Sequence, residues 1–158
     1  MNSEKSMTAG ENGDHANRKA WMGLLATADA KALQDLWQNY GCNPDHTWLR
    51  PPEVGGVMVQ GRMGASGAPF NLGEMTVTRC ALTLADGTVG HGYVQGRSKL
   101  QAETAAKVDA LMQTDAAEEV HRRVLSPLQA AKHTRKMSRA AKAAATKVEF
   151  FTMVRGED

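Results

Sequence analysis

Arg97 and Lys99 stand on either side of Ser98, between a β-rich run that ends at Gly96 and the amphipathic stretch that follows. Ser98 with Gln101 has the spacing of a capping box, in which a hydroxyl and a side-chain amide satisfy backbone donors at a helix start. Two cations beside unpaired N–H groups suit a phosphate or a carboxylate. Arg62 and Arg79, on the preceding β-rich runs, would extend the same cationic surface. The commoner reading of such side chains is as solvated charges around a helix start, and local sequence leaves both readings open. Other chemistry finds less support. His15, His46, His91, His121 and His133 form no H-x-H or H-x-x-x-H pair, and Cys42 with His46 lacks the further ligands that zinc requires. Gly61-x-x-Gly64-x-x-Gly67 does not have dinucleotide-site spacing. Gly92-Tyr-Val-Gln-Gly96-Arg-Ser is one residue short of a P-loop and has Arg where that loop needs Lys. Ser66 is not in a G-x-S-x-G turn, and Glu74 reads as a solvent-facing strand carboxylate. No pattern supports catalysis by this chain alone, and no metal or cofactor site is expected on it.

The elements that must position these residues follow from periodicity and turn chemistry. Gly73 to Gln113 reads without a break as strand, turn, strand and helix, with Asp86-Gly87 as a two-residue hairpin turn in which both residues take positive φ. Leu100, Ala105, Val108, Leu111 and Met112 would share one face of the helix. Upstream, Asn17 is the expected cap of a first helix carrying Trp21, Leu24 and Leu25. Asp29 caps a second through Tyr40, which Gly41 ends in a left-handed conformation. HTWLR (46–50) is a short strand stopped by Pro51-Pro52, and Val54 to Met63 is another. The sheet would then hold about four antiparallel strands in meander order. Beyond Met112, Ala116 to Leu125 is a helix candidate. Pro127 opens a last helix to about residue 147, rich in Ala, Lys and Arg with a thin apolar stripe. The fold class expected is α+β: an N-terminal helical hairpin, the antiparallel sheet, C-terminal helices and an extended tail.

A chain of 158 residues supports one domain and one core. Residues 1–16 are polar and are expected to form a disordered arm, leaving 17–158 as the domain. No apolar run approaches the roughly 20 residues that span a bilayer, and the start lacks the hydrophobic centre of a secretory signal. Cys42 and Cys80 form no C-x-x-C pair and read as buried or free thiols of a reducing cytoplasm. The net charge of +2 is small, but its distribution is not even. No acid occurs between Glu119 and Glu149, an interval holding Arg122, Arg123, Lys132, Arg135, Lys136, Arg139, Lys142 and Lys147. Such a stretch faces an anionic ligand, an acidic partner or plain solvent. A small nucleic-acid-binding protein is therefore the rival reading, although the helix lacks interleaved aromatics and the sheet lacks a stacking motif.

The chain closes with Phe150, Phe151, Met153 and Val154, an apolar cluster where chains usually turn polar, and with Arg155, a cation able to anchor it. Residues 148–158 are expected to dock against another subunit, or else to add an edge strand to their own sheet.

The segment GRMGASGAPFNLGEMTVTRCALTLADGTVGHGYVQGRSKLQAETAAKVDALMQ, the opening RKAWMGLLA and the closing KVEFFTMVRG resemble the PhnG family, from about Arg18 to Gly156 and in the family's order. PhnG is the small subunit of the bacterial carbon–phosphorus lyase machinery. The resemblance implies a cytoplasmic subunit that works with PhnH, PhnI and PhnL to displace adenine from MgATP by methylphosphonate, forming ribose 1-methylphosphonate 5-triphosphate. It also implies a stable complex with PhnH, PhnI and PhnJ. In the family the nucleosidase activity belongs to PhnI, so a member is an essential companion with MgATP as a co-substrate of the complex. Arg62, Arg97 and Lys99 are then candidates to meet the substrate's triphosphate or an acidic partner patch.

Overall fold

The computed structural model describes residues 4–146, with side chains from residue 15. The architecture is α+β, in the order α1 (Glu4–Ala26), α2 (Ala30–Tyr40), β1 (His46–Arg62), β2 (Pro69–Leu84), β3 (Val89–Gln95), α3 (Lys99–Leu111), α4 (Ala117–Val120) and α5 (Ser126–Ala145). A short 3-10 turn, Met63–Ala65, follows β1, and a π-helical turn, His121–Leu125, joins α4 to α5. The strands form one antiparallel sheet in the order β1-β2-β3.

Helices α1 and α2 make the expected hairpin. The Asp29 carboxylate accepts from Ala32 N at 3.0 Å, and Gly41 ends α2 at φ 74°, as its lack of a Cβ permits. The first boundary differs from expectation. Helix α1 begins at Glu4, so Asn17 lies inside it, and the polar stretch continues the helix backwards where composition predicts an arm.

The sheet has three strands, not about four. The two β-rich runs on either side of Pro51-Pro52 are one strand, β1. A proline cannot donate to a ladder, which is why the pair reads as a strand end. Here β1 is an edge strand, and its pairing with β2 shifts register between Trp48 and Arg50 and again between Arg50 and Glu53. At an edge, within an irregularity, the missing N–H costs no ladder bond. The β2–β3 connection also differs. Gly87 alone takes positive φ (87°), its N–H donates to the Leu84 carbonyl at 3.0 Å, and the Asp86 carboxylate accepts from Thr88 N at 2.8 Å. The hairpin therefore turns through Ala85, Asp86 and Gly87, with one left-handed residue.

Helix α3 is the spine. Ala102, Ala105, Ala106, Val108 and Ala110 are 0–1% exposed, so the helix is enclosed well beyond a single stripe. Leu100, expected in the core, is 57% exposed. The small side chains let β3 approach closely. A Cβ added at Gly90 would run into the Ala106 carbonyl oxygen, and one at Gly92 into that of Ala102. Around this contact cluster Leu25, Leu33, Trp37, Leu82, Val94, Val124 and Leu128. The polar residues of α3 tie it to its neighbours. Gln101 donates to the Ala28 carbonyl at 2.9 Å, Thr104 accepts from Gln34 at 2.7 Å, and Lys107 donates to Asn43 at 2.7 Å.

Pro127, the second residue of α5, comes two positions after the π turn, and its lack of an N–H interrupts the i→i−4 ladder there. From Gln129 to Thr146 every residue is exposed. This helix stands out from the core on its own propensity.

Candidate functional site

The cationic helix start forms as its spacing predicts, with one half missing. Ser98 Oγ accepts from Gln101 N at 3.2 Å. The Gln101 amide does not return to the cap, because it is spent on Ala28 O, and the capping box is therefore one-sided. Gly96, at φ 93°, turns the chain off β3, and its carbonyl accepts from Thr78 Oγ1 at 2.7 Å. That anchors the turn to the middle strand and points Arg97 and Lys99 outward. Both are exposed, and neither is in an ion pair among the described residues.

The other sequence-chosen cations do not join them. Arg62 lies seven residues along β1 from Gly55, which is level with Val77 and Gln95. At about 3.3 Å per residue that separation is roughly 20 Å. Arg62 instead donates to the Gly67 carbonyl at 2.9 Å and closes the loop between β1 and β2. Arg79 is bound to Glu53 at 2.7 Å across the strands. The tail candidates Phe150, Phe151, Met153, Val154 and Arg155 lie outside the described residues.

A polar centre that the sequence does not advertise lies on the other side of α3. Asp109 is fully buried. Its Oδ1 accepts from Arg18 Nε at 3.2 Å and Trp21 Nε1 at 2.9 Å, and its Oδ2 from Arg18 Nη2 at 2.7 Å and His91 N at 2.9 Å. One carboxylate thus ties α1 and the open edge of β3 to the spine. Arg18 Nη2 and Gln113 Nε2 both donate to the Val89 carbonyl, at 3.3 and 2.9 Å. With every acceptor position engaged, Asp109 is a structural hub and is unsuited to proton transfer. Its one sequence signal is an acid set among Ala105, Ala106, Val108 and Leu111.

Two grooves flank α1. The larger, about 780 Å³, has Trp21, Leu24, Met112 and Leu125 on its floor and Lys19, His121 and Lys132 on its rim. The smaller, about 340 Å³, lies between α1 and β3 beside His91 and Tyr93. Neither gathers carboxylates. No group of three His, Cys, Asp or Glu among the described residues could hold a metal ion. The Cys80 thiol is buried under α3, and desolvation pushes it up to about 11. Cys42 is partly exposed, and both cysteines are free. No described helix is long and apolar enough to cross a membrane.

The family model described as "Phosphonate metabolism protein PhnG" matches residues 16–156, nearly the whole chain. The chain belongs to the PhnG family. A relative from Rhizobium meliloti (strain 1021), named as the alpha-D-ribose 1-methylphosphonate 5-triphosphate synthase subunit PhnG, is 44% identical over 147 residues. The alignment covers 90% of this chain and 92% of that protein. The family match begins at residue 16, so it takes in the Arg18, Trp21 and Asp109 hub as well as the α3 start and the β hairpin.

Proposed function

We propose that this chain is a non-catalytic but indispensable subunit of the complex that transfers ribose 5-triphosphate from MgATP to methylphosphonate, with release of adenine. Its setting is phosphonate breakdown in the cytoplasm. The observation that carries this reading is the 44% identity, over 90% of the chain, to a protein named as that synthase's PhnG subunit.

The chemistry of the step supports the division of labour. Substitution at an anomeric carbon passes through an oxocarbenium-like transition state and needs an acid placed to protonate the leaving base. The triphosphate also needs Mg²⁺ ligands. Asp109 is occupied by four donors, and the described residues assemble no carboxylate cluster. On this reading the reacting groups belong to a companion, PhnI, with PhnH, PhnJ and PhnL as the remaining partners. Arg97 and Lys99 supply an anion contact, either to the substrate's triphosphate or to an acidic patch of a companion. The test is complementation. A mixture of PhnH, PhnI and PhnL is supplied with MgATP and methylphosphonate and assayed for adenine with and without this chain. Adenine is released only when the chain is added, and the chain alone releases none. Sustained release by the pure chain, or no effect of adding it, refutes the proposal.

One feature favours a second reading. The exposed cations of α5 offer a surface for phosphates. Salt-sensitive retention on heparin, with no assembly with the companion subunits, would move the assignment to a nucleic-acid-binding protein.

A further inference from the structure

The β1–β2 hairpin continues well past the sheet it belongs to. Strand β3 pairs with β2 only from Val77 to Thr83, whereas the β1–β2 pairing runs on to Arg62 opposite Pro69. The eight residues from Thr76 back to Pro69 make an arm roughly 25 Å long. The arm has two unlike faces. On one, Val57 stands opposite Met75, Val59 follows, and Phe70 and Leu72 close beside Gly61, within 3.6 and 3.7 Å of a Cβ placed there. Phe70 is 44% exposed and Leu72 66%. On the other face Met58 stands opposite Glu74, whose carboxylate lies over Gly56, and Gln60 is level with Asn71. A two-stranded ribbon is marginal by itself in water, and one with an open apolar face needs a surface to lie against.

We propose that this arm is a docking element whose apolar face lies in a hydrophobic groove of a companion protein subunit. The inference rests on the subunit reading above and adds where contact is made. Charge selects the occupant. Between Val54 and Thr76 the only charged residues are Arg62 and Glu74, so the arm is neutral overall. Arg62 is moreover engaged with Gly67 O. Neither a nucleic acid nor an anionic membrane is drawn to a neutral ribbon, in contrast to α5. A second copy pairing edge to edge along β1 is disfavoured. Gly55, Gly56 and Gly61 present no side chains to match, the register breaks between Val59 and Gln60, and Pro51, Pro52 and Glu53 guard the rest of the edge. What remains is aliphatic and aromatic surface for an uncharged protein groove.

The experiment measures assembly of the full chain with purified PhnH, PhnI and PhnJ by size exclusion and by backbone hydrogen exchange. Phe70→Asp with Leu72→Asp weakens assembly at least tenfold, while Met58→Asp, on the opposite face, leaves it unchanged. Amides from 57 to 75 exchange more slowly in the wild-type complex than in the free chain. Assembly of F70D/L72D at wild-type affinity, equal weakening by M58D, or unchanged exchange along the arm each overturn the docking alone. A homodimer abolished by F70D/L72D also overturns it, because the occupant would be a second copy. If the double variant melts early, the exchange result decides. Failure of the wild-type chain to assemble overturns the subunit reading and this inference together.

Discussion

Replacing Asp109 with Ala should be among the most damaging single changes to this fold. The carboxylate is fully buried and accepts from Arg18, Trp21 and His91. Its removal orphans the Trp21 indole N–H and the His91 backbone N–H, each costing about 1–3 kcal/mol when buried and unpaired. Arg18 loses its counter-ion, but its side chain is 30% exposed and regains water in part. Breaking a buried pair by deleting one partner costs about 3–5 kcal/mol, and the exposure of Arg18 puts the sum near 4 kcal/mol. Against a total stability of about 5–15 kcal/mol, that is a large fraction. At roughly 2–4 °C per kcal/mol for a chain of this size, Tm should fall by about 8–16 °C. Thermal and urea melts followed by circular dichroism measure it. Asp109→Asn, which keeps one acceptor oxygen, should lose about half as much. R18A/D109A should cost at least about 1 kcal/mol less than the two single changes added together, because the residues share one interaction. A D109A protein within about 1 kcal/mol of wild type would refute the hub.

Three further outcomes are expected. Gly92→Ala drives a methyl into the Ala102 carbonyl and to 2.8 Å from Cys80 Sγ, and should cost about 1–3 kcal/mol in melts, whereas Gly73→Ala, with nothing within 4 Å, should stay within about 0.5 kcal/mol. In the folded chain at pH 8 a disulfide thiol reagent should titrate Cys42 first and reach Cys80 only on unfolding. Burial raises Cys80 from its ordinary 9.0 to about 11, so the unfolded thiol ionises first and stability should fall between pH 9 and 11. Arg97→Ala with Lys99→Ala should leave Tm unchanged, since both side chains are exposed, and should raise the apparent KM of the assembled synthase or weaken assembly. Unaltered kinetics and assembly would return the pair to plain solvated charge.

Much of the local chemistry was legible because it is local. Asp29, Gly41 and Ser98 mark helix ends through bonds to residues three or four positions away, and those rules hold wherever such residues occur. What failed depended on distant context. Pro51-Pro52 reads as a stop unless the strand is known to lie at an edge with a shifted register. Gln101 satisfies half a capping box because Ala28, 73 residues away, claims its amide. Asp109 looks like a polar intrusion on an apolar helix face until Arg18, 91 residues earlier, is brought beside it. At the site, the spacing of Arg97, Ser98 and Lys99 was enough to place two exposed cations at a helix start. The distance to Arg62 depended on how far a hairpin outruns its sheet, which no spacing rule encodes.

Helix α5 has a consequence for how this chain tolerates change in length. From Gln129 to Thr146 every residue is exposed, although Ala131, Lys132 and Arg135 line a crevice beside Leu24 and Ala28, and Lys132 Nζ donates to Thr27 Oγ1 at 3.0 Å. Beyond Arg135, exchanging one exposed helix-forming residue for another should be nearly free. Adding or removing a residue is different. Each step of an α-helix turns all that follows by about 100° and shifts it by about 1.5 Å, so the segment works as a ruler and a compass for its own far end at Ala145. A single-codon deletion near Ala140 would leave the core intact and re-aim the last turn of the helix.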